Sequence, residues 1–151
     1  MNKEQLRELI DETLKEIGLH SKDAVNLLMG TCAQESHLGE YIKQIKGPAL
    51  GIFQMEPATF VDIIDNYLYY HPVKRMAKII AVCKASHISP EDLRWNLKLS
   101  ICFARIHYLR VPEKLPNSIE GYAAYWKKYY NTYLGAGTEE EFIHNYKRFV
   151  L

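Results

Sequence analysis

The sequence predicts an all-α domain of about seven helices, with at most a minimal strand element. Three observations carry that expectation. Apolar residues recur at three- and four-residue spacing over most of the chain, polar capping residues or prolines open those stretches, and only 39–56 lacks a regular period. At 151 residues, 48% of them hydrophobic and 25% charged, the chain suits one domain over 1–151 with a single substantial core.

Leu6, Leu9, Ile10, Leu14 and Ile17 form an apolar stripe behind Asn2, a capping residue, with Gly18 at the C-terminal cap position. Ser21 caps a second helix whose inward face runs Val25, Leu28, Met29 and Cys32, continuing in phase to Glu35 and Ser36 before Gly39 ends it. Glycines and Pro48 interrupt 39–56, an irregular loop. Pro57 suits the first turn of a third helix carrying Phe60, Ile63, Ile64, Tyr67 and Leu68. Val73, Met76, Ile80 and Cys83 mark a fourth behind Pro72. Ser89-Pro90-Glu91-Asp92 opens a fifth holding Leu93, Leu97, Ile101, Ala104 and Tyr108, which Pro112 and Pro116 close. Asn117 with Glu120 opens a sixth bearing Ile119, Tyr122, Trp126, Tyr130 and Tyr133, and Thr138 with Glu141 opens a seventh bearing Phe142, Tyr146 and Val150.

Composition excludes several function classes. The formal net charge of +1 gives no broad field for nucleic acid or an anionic membrane, so no nucleic-acid partner is expected. No apolar run suits a signal peptide or a membrane span, so no membrane insertion is expected. Cys32, Cys83 and Cys102 lack the close spacing of zinc or redox motifs and read as reduced, buried, small hydrophobes. His20, His37, His71, His87, His107 and His144 lack the i, i+4 pairing of a helical metal site, so neither metal nor cofactor is expected. The tyrosines at 69, 70, 129, 130 and 133 read as packing residues.

Glu35 is the residue with chemical promise. It lies three positions after Cys32 on the inward face, where the helix runs into a glycine-rich loop, so its carboxyl should be partly desolvated and its pKa raised. A carboxylic acid that keeps its proton near neutral pH is what glycosidic cleavage needs, because the departing sugar oxygen must be protonated as the bond breaks. Periodicity alone leaves open an outward Glu35 in a fraying last turn, and a plain tight turn at Gly51 and Gln54.

Ala33-Gln34-Glu35-Ser36, followed by Pro48-Ala49-Leu50-Gly51-Ile52-Phe53-Gln54-Met55-Glu56-Pro57-Ala58-Thr59, resembles the lytic transglycosylase domain of the lysozyme-like superfamily and, more distantly, goose-type lysozyme. In that family a helix ends in Glu-Ser and a loop leads to Gly-Ala-x-Gly-Leu-Met-Gln, then Pro and Thr. Ala49, Gly51, Gln54, Pro57 and Thr59 match by identity, Ile52 and Phe53 by character. The resemblance runs from Leu28 to Tyr125, dense over Glu35 to Thr59 and sparse afterwards: Ala123-Ala124-Tyr125 fits the third motif, but Trp126-Lys127-Lys128 replaces its Asn and following loop. Ala104-Arg105 stands where a glycine is usual, Pro48 replaces a glycine, and His37-Leu38-Gly39 replaces the aromatic and Asn-Pro after Glu-Ser.

What the resemblance implies is a set of helices around a central one, with a glycan cleft. It implies Glu35 as catalytic acid and base, with Ser36, Gly51, Phe53, Gln54 and Tyr125 lining the substrate site. The expected partner is the glycan strand of peptidoglycan and the expected state a monomer. The reaction is cleavage of the N-acetylmuramic acid to N-acetylglucosamine β-1,4 bond by lytic transglycosylation, or by muramidase hydrolysis. Hydrolysis by inversion needs a second carboxylate, and Glu40, Glu56, Asp62 and Asp65 are near in sequence with none singled out. The rival expectation is an inactive or weak lysozyme-fold protein that binds the wall or builds a phage virion, supported by the altered third motif. A wall-degrading domain without a signal-like stretch implies a phage endolysin acting from the host cytoplasm, a virion-associated protein or a secreted effector.

Overall fold

The structure is a computed structural model in which residues 1–70 and 73–151 are described, Val73 through its backbone alone. The Pro72 start signal, the inward place of Val73 and His71 lie outside the described residues. The described chain is all-helical, with seven α-helices: α1 (Lys3–Glu16), α2 (Lys22–Ser36), α3 (Pro57–Ile63), α4 (Val73–Cys83), α5 (Leu97–Leu109), α6 (Ile119–Trp126) and α7 (Glu139–Phe149). Among the described residues β-structure is confined to two isolated bridges within 39–56, Lys43 with Leu50 and Leu50 with Met55. None of these helices is long and apolar enough to cross a membrane.

Capping chemistry sets several boundaries. Asn2 accepts from the Gln5 backbone N–H, Ser21 from that of Ala24, and Thr138 with Glu141 closes the box that opens α7. The Ser89–Asp92 signal opens a 3-10 turn over Pro90–Arg94 and not the fifth helix itself. The chain breaks at Trp95 and restarts at Asn96, whose side chain accepts from the Leu99 N–H and donates to the Cys83 carbonyl. One long helix would leave the Cys83 carbonyl, at the end of α4, without that donor. The cap of α6 is Ser118, which accepts from Gly121, and not Asn117.

Two helices continue as π turns, Ile64–Leu68 after α3 and Lys127–Asn131 after α6. The second stops at Asn131, so Tyr133, expected on the apolar stripe, is 95% exposed. Helix α2 ends at Ser36 rather than Gly39, and His37, Leu38 and Gly39 follow in left-handed conformation with φ of 50°, 57° and 80°. Two of these three carry a Cβ, a local cost that the contacts described below offset.

Helix α5 is the central element. Residues Leu99 to Ile106 and Tyr108 are buried, and the helix packs on α1, α2, α3 and α4. Arg105, which stands where the resembled family has a glycine, is nevertheless buried, its Nε donating to the Leu19 carbonyl at 3.0 Å. Helix α2 is the second buried axis, enclosed by α1, α5, α6 and α7. All three cysteines are free and buried; Cys83 of α4 and Cys102 of α5, far apart in sequence, are neighbours in the fold.

Candidate functional site

The last turn of α2, the 39–56 loop, α6 with its π turn and the first turn of α7 enclose a cleft of about 750 Å³. Glu35 lies on its floor, half-buried, because the apolar phase of α2 carries it inward. The Trp126 indole Nε1–H donates to Glu35 Oε1 at 2.8 Å. Trp126 is itself packed on Phe142, ring centroids 5.4 Å apart, and is 1% exposed, so it offers the carboxyl a fixed donor.

Burial raises the Glu35 pKa to about 7, against the opposing pull of the indole N–H, which favours the anion. Beneath it, Thr31 donates to the Leu27 carbonyl and receives the Tyr108 hydroxyl at 2.8 Å. Burial and the Glu35 charge hold the Tyr130 hydroxyl above its usual range, and that hydroxyl donates to the Phe53 carbonyl at 2.7 Å. These neighbours are neutral donors, so none supplies a cation that would strip Glu35 of its proton.

The sequence-predicted residues divide into two groups. Glu35 and Gln54 both line the cleft. The Gln54 amide is tethered, its Nε2 donating to the Gly51 carbonyl at 2.8 Å. Ser36, Gly51 and Phe53 instead build the wall. Ser36 is fully buried, donating to the Ile52 carbonyl at 2.6 Å and accepting from the Gly39 N–H at 2.9 Å, so it fastens the loop to the helix end and does not meet substrate. Gly51 has φ of 78°, and a Cβ there would stand 2.3 Å from the Leu93 carbonyl oxygen. The Phe53 ring is in the core and only its carbonyl, held by Tyr130, serves the cleft wall.

Tyr125 corrects the sequence-based expectation. It is buried away from the cleft, its hydroxyl donating to the Glu113 carbonyl at 3.0 Å and its ring packed against Tyr108 and Tyr129. Read as out of step with Tyr122 and Trp126, it stands three residues after Tyr122, and Tyr122, Tyr125 and Trp126 share one wide buried face. The residue that meets Glu35 is Trp126, not Tyr125.

Compared with protein-family models, curated proteins and solved structures, the chain matches none.

Sequence reasoning missed Trp126, Tyr130 and His107 as cleft residues. For Trp126 a signal existed: it occupies the very position where the third motif departs from the resembled family. Tyr130 gave only a packing period, and His107 none at all. The remaining lining is rich in side-chain amides and hydroxyls, with Gln34, Gln44, Thr59, Asn131 and Thr132, and carries Glu56 and Glu141 as further carboxylates. Among the described residues no lysine or arginine lines it. Such a surface suits a neutral, polyhydroxylated or amide-bearing ligand better than a phosphate. Among the described residues no group of three or more His, Cys, Asp or Glu is placed to hold a metal ion.

Proposed function

We propose that the chain cleaves peptidoglycan glycan strands at the N-acetylmuramic acid to N-acetylglucosamine β-1,4 bond, with Glu35 as acid and then base. The observation that supports it is the Glu35 carboxyl, its proton held to about pH 7, on the floor of an open cleft lined by amides and aromatic rings. Protonated Glu35 gives its proton to the bridging oxygen as the C1–O bond breaks, leaving an oxocarbenium-like sugar. The Glu35 carboxylate then takes the proton of that sugar's own 6-hydroxyl, whose oxygen closes on C1. The products are a 1,6-anhydro end and a new 4-hydroxyl end, and Glu35 is protonated again. Only one carboxylate is required. Asp62, one of the four carboxylates considered for a hydrolytic second group, is engaged by Arg110 at 2.6 Å and has its pKa held down.

A second reading, a wall-binding protein of low or no activity, draws on one observation: Tyr125 is turned away to Glu113. Mass analysis of products from purified peptidoglycan separates the two. Anhydro-muropeptides are expected, lost in Glu35→Gln while the helical circular dichroism is unchanged. Reducing ends would mean hydrolysis; binding without products would favour the second reading; lysis retained by folded Glu35→Gln would remove Glu35 from the chemistry.

A further inference from the structure

His107 lies in α5 and borders the cleft, its ring set edge-on to Tyr130 with centroids 5.1 Å apart. Its Nδ1 lies 2.8 Å from Arg110 Nη2, and Arg110 Nη1 in turn donates to Asp62 Oδ2 at 2.6 Å. A guanidinium only donates, so Nδ1 is the acceptor and the ring proton sits on Nε2. Among the described residues Nε2 has no hydrogen-bond partner, and it is not a buried atom. A neutral imidazole, its tautomer fixed from behind, thus carries one unpaired N–H on a residue that lines the cleft.

We propose that His107 is a substrate-binding residue whose Nε2–H donates to the acetamido carbonyl of an N-acetylhexosamine unit in the cleft. The inference rests on the glycan reading above and names the group of the glycan that is read. An acetamido oxygen is a strong neutral acceptor, and a neutral donor satisfies it without the desolvation that a cation costs. Constancy of the donor is built in: burial, then the adjacent Arg110 charge, lower the His107 pKa to about 4, while Asp62 opposes weakly. Arg110 and Asp62 form the positioning chain, since they act only through the tautomer.

The test uses Glu35→Gln protein, so that bound glycan is not consumed, and calorimetry with an N-acetylglucosamine tetrasaccharide, with cellotetraose as the arm that lacks acetamido groups. Substituting His107→Phe should weaken the N-acetyl ligand about tenfold, the size of one neutral hydrogen bond, and leave cellotetraose unchanged. His107→Gln, which returns an N–H near the Nε2 position, should recover most of the loss; a merely structural histidine would not separate the two variants. Nitrogen NMR of the ring should show Nε2 protonated and Nδ1 bare from pH 5 to 8, with the Nε2 proton moving on titration with the N-acetyl ligand. Equal affinity in His107→Phe, equal losses for both ligands, or a proton on Nδ1 would overturn the assignment. Failure of the His107-intact protein to bind the N-acetyl tetrasaccharide would overturn the glycan reading and this inference with it.

Discussion

A carboxyl that keeps its proton to about pH 7 leaves a mark on stability as well as on chemistry. In the unfolded chain Glu35 titrates near 4.5 and in the fold near 7. Below 4.5 both states carry the proton. Between the two values the native state binds more protons than the unfolded one, so stability falls as pH rises through that window and is level above it. At 1.36 kcal/mol per unit the loss is on the order of 3 kcal/mol. Glu35→Gln cannot titrate yet keeps an oxygen for the Trp126 N–H, so it should escape the loss. Its melting temperature relative to the parent is expected to rise by about 5–10 °C between pH 4.5 and pH 8. A pH-independent gap would show that the carboxyl is not desolvated. At this scale Glu35 was legible because helical phase is a local property. Tyr125 and Trp126 were not, since adjacent residues on a wide buried face exchange roles through tertiary packing that a one-dimensional stripe does not encode.

At the scale of elements, the caps of α1, α2 and α7 were legible because each is closed within four residues of sequence. The break at Trp95–Asn96 was not, for Leu93 and Leu97 keep helical spacing across it while the Asn96 cap is answered by a distant carbonyl at Cys83. The π turns were hidden similarly, since one extra residue per turn shifts the phase without altering composition. The 39–56 loop was legible as irregular, but the division of labour within it was not. Gly51 was expected to line the substrate site and instead sets the loop against the Leu93 carbonyl. Gly51→Ala should therefore cost about 2–3 kcal/mol, from positive φ together with a backbone clash that no rotamer relieves. On the proposed glycan-cleaving function, turnover should fall too, because Gln54 hangs from the Gly51 carbonyl. Thermal melts and turnover measured together check it: full stability would mean that the loop stands clear of Leu93.

For the molecule as a whole, the question is whether the cleft is an addition to the core or a part of it, and Gly30 decides the matter. It sits within α2, where a Cβ would stand 2.5 Å from Phe142 Cζ and 2.7 Å from Tyr146 Cδ2 of α7. Phe142 packs on Trp126, Trp126 holds Glu35, and Asn145 of α7 donates to Gln34 at 2.7 Å. Core contact and the Glu35 carboxyl are therefore two ends of one packed chain of side chains. In the sequence Gly30 is only a glycine inside a helical stretch, and the close approach of α7 has no local signature. Two effects oppose one another in Gly30→Ala: helix propensity gains about 1 kcal/mol, whereas forcing a methyl into a filled interface costs about 1–3 kcal/mol. With contacts this short on two rings, overpacking should win, lowering stability by about 1–2 kcal/mol and, by displacing Phe142 and Trp126, lowering turnover as well. Adding Phe142→Leu makes room for the methyl, so the double variant should be more stable than the sum of the single losses, a coupling read from a double-mutant cycle of melts. A Gly30→Ala protein more stable than the parent, with unchanged cleavage, would mean that α7 yields without disturbing Trp126 and that core and cleft are built independently.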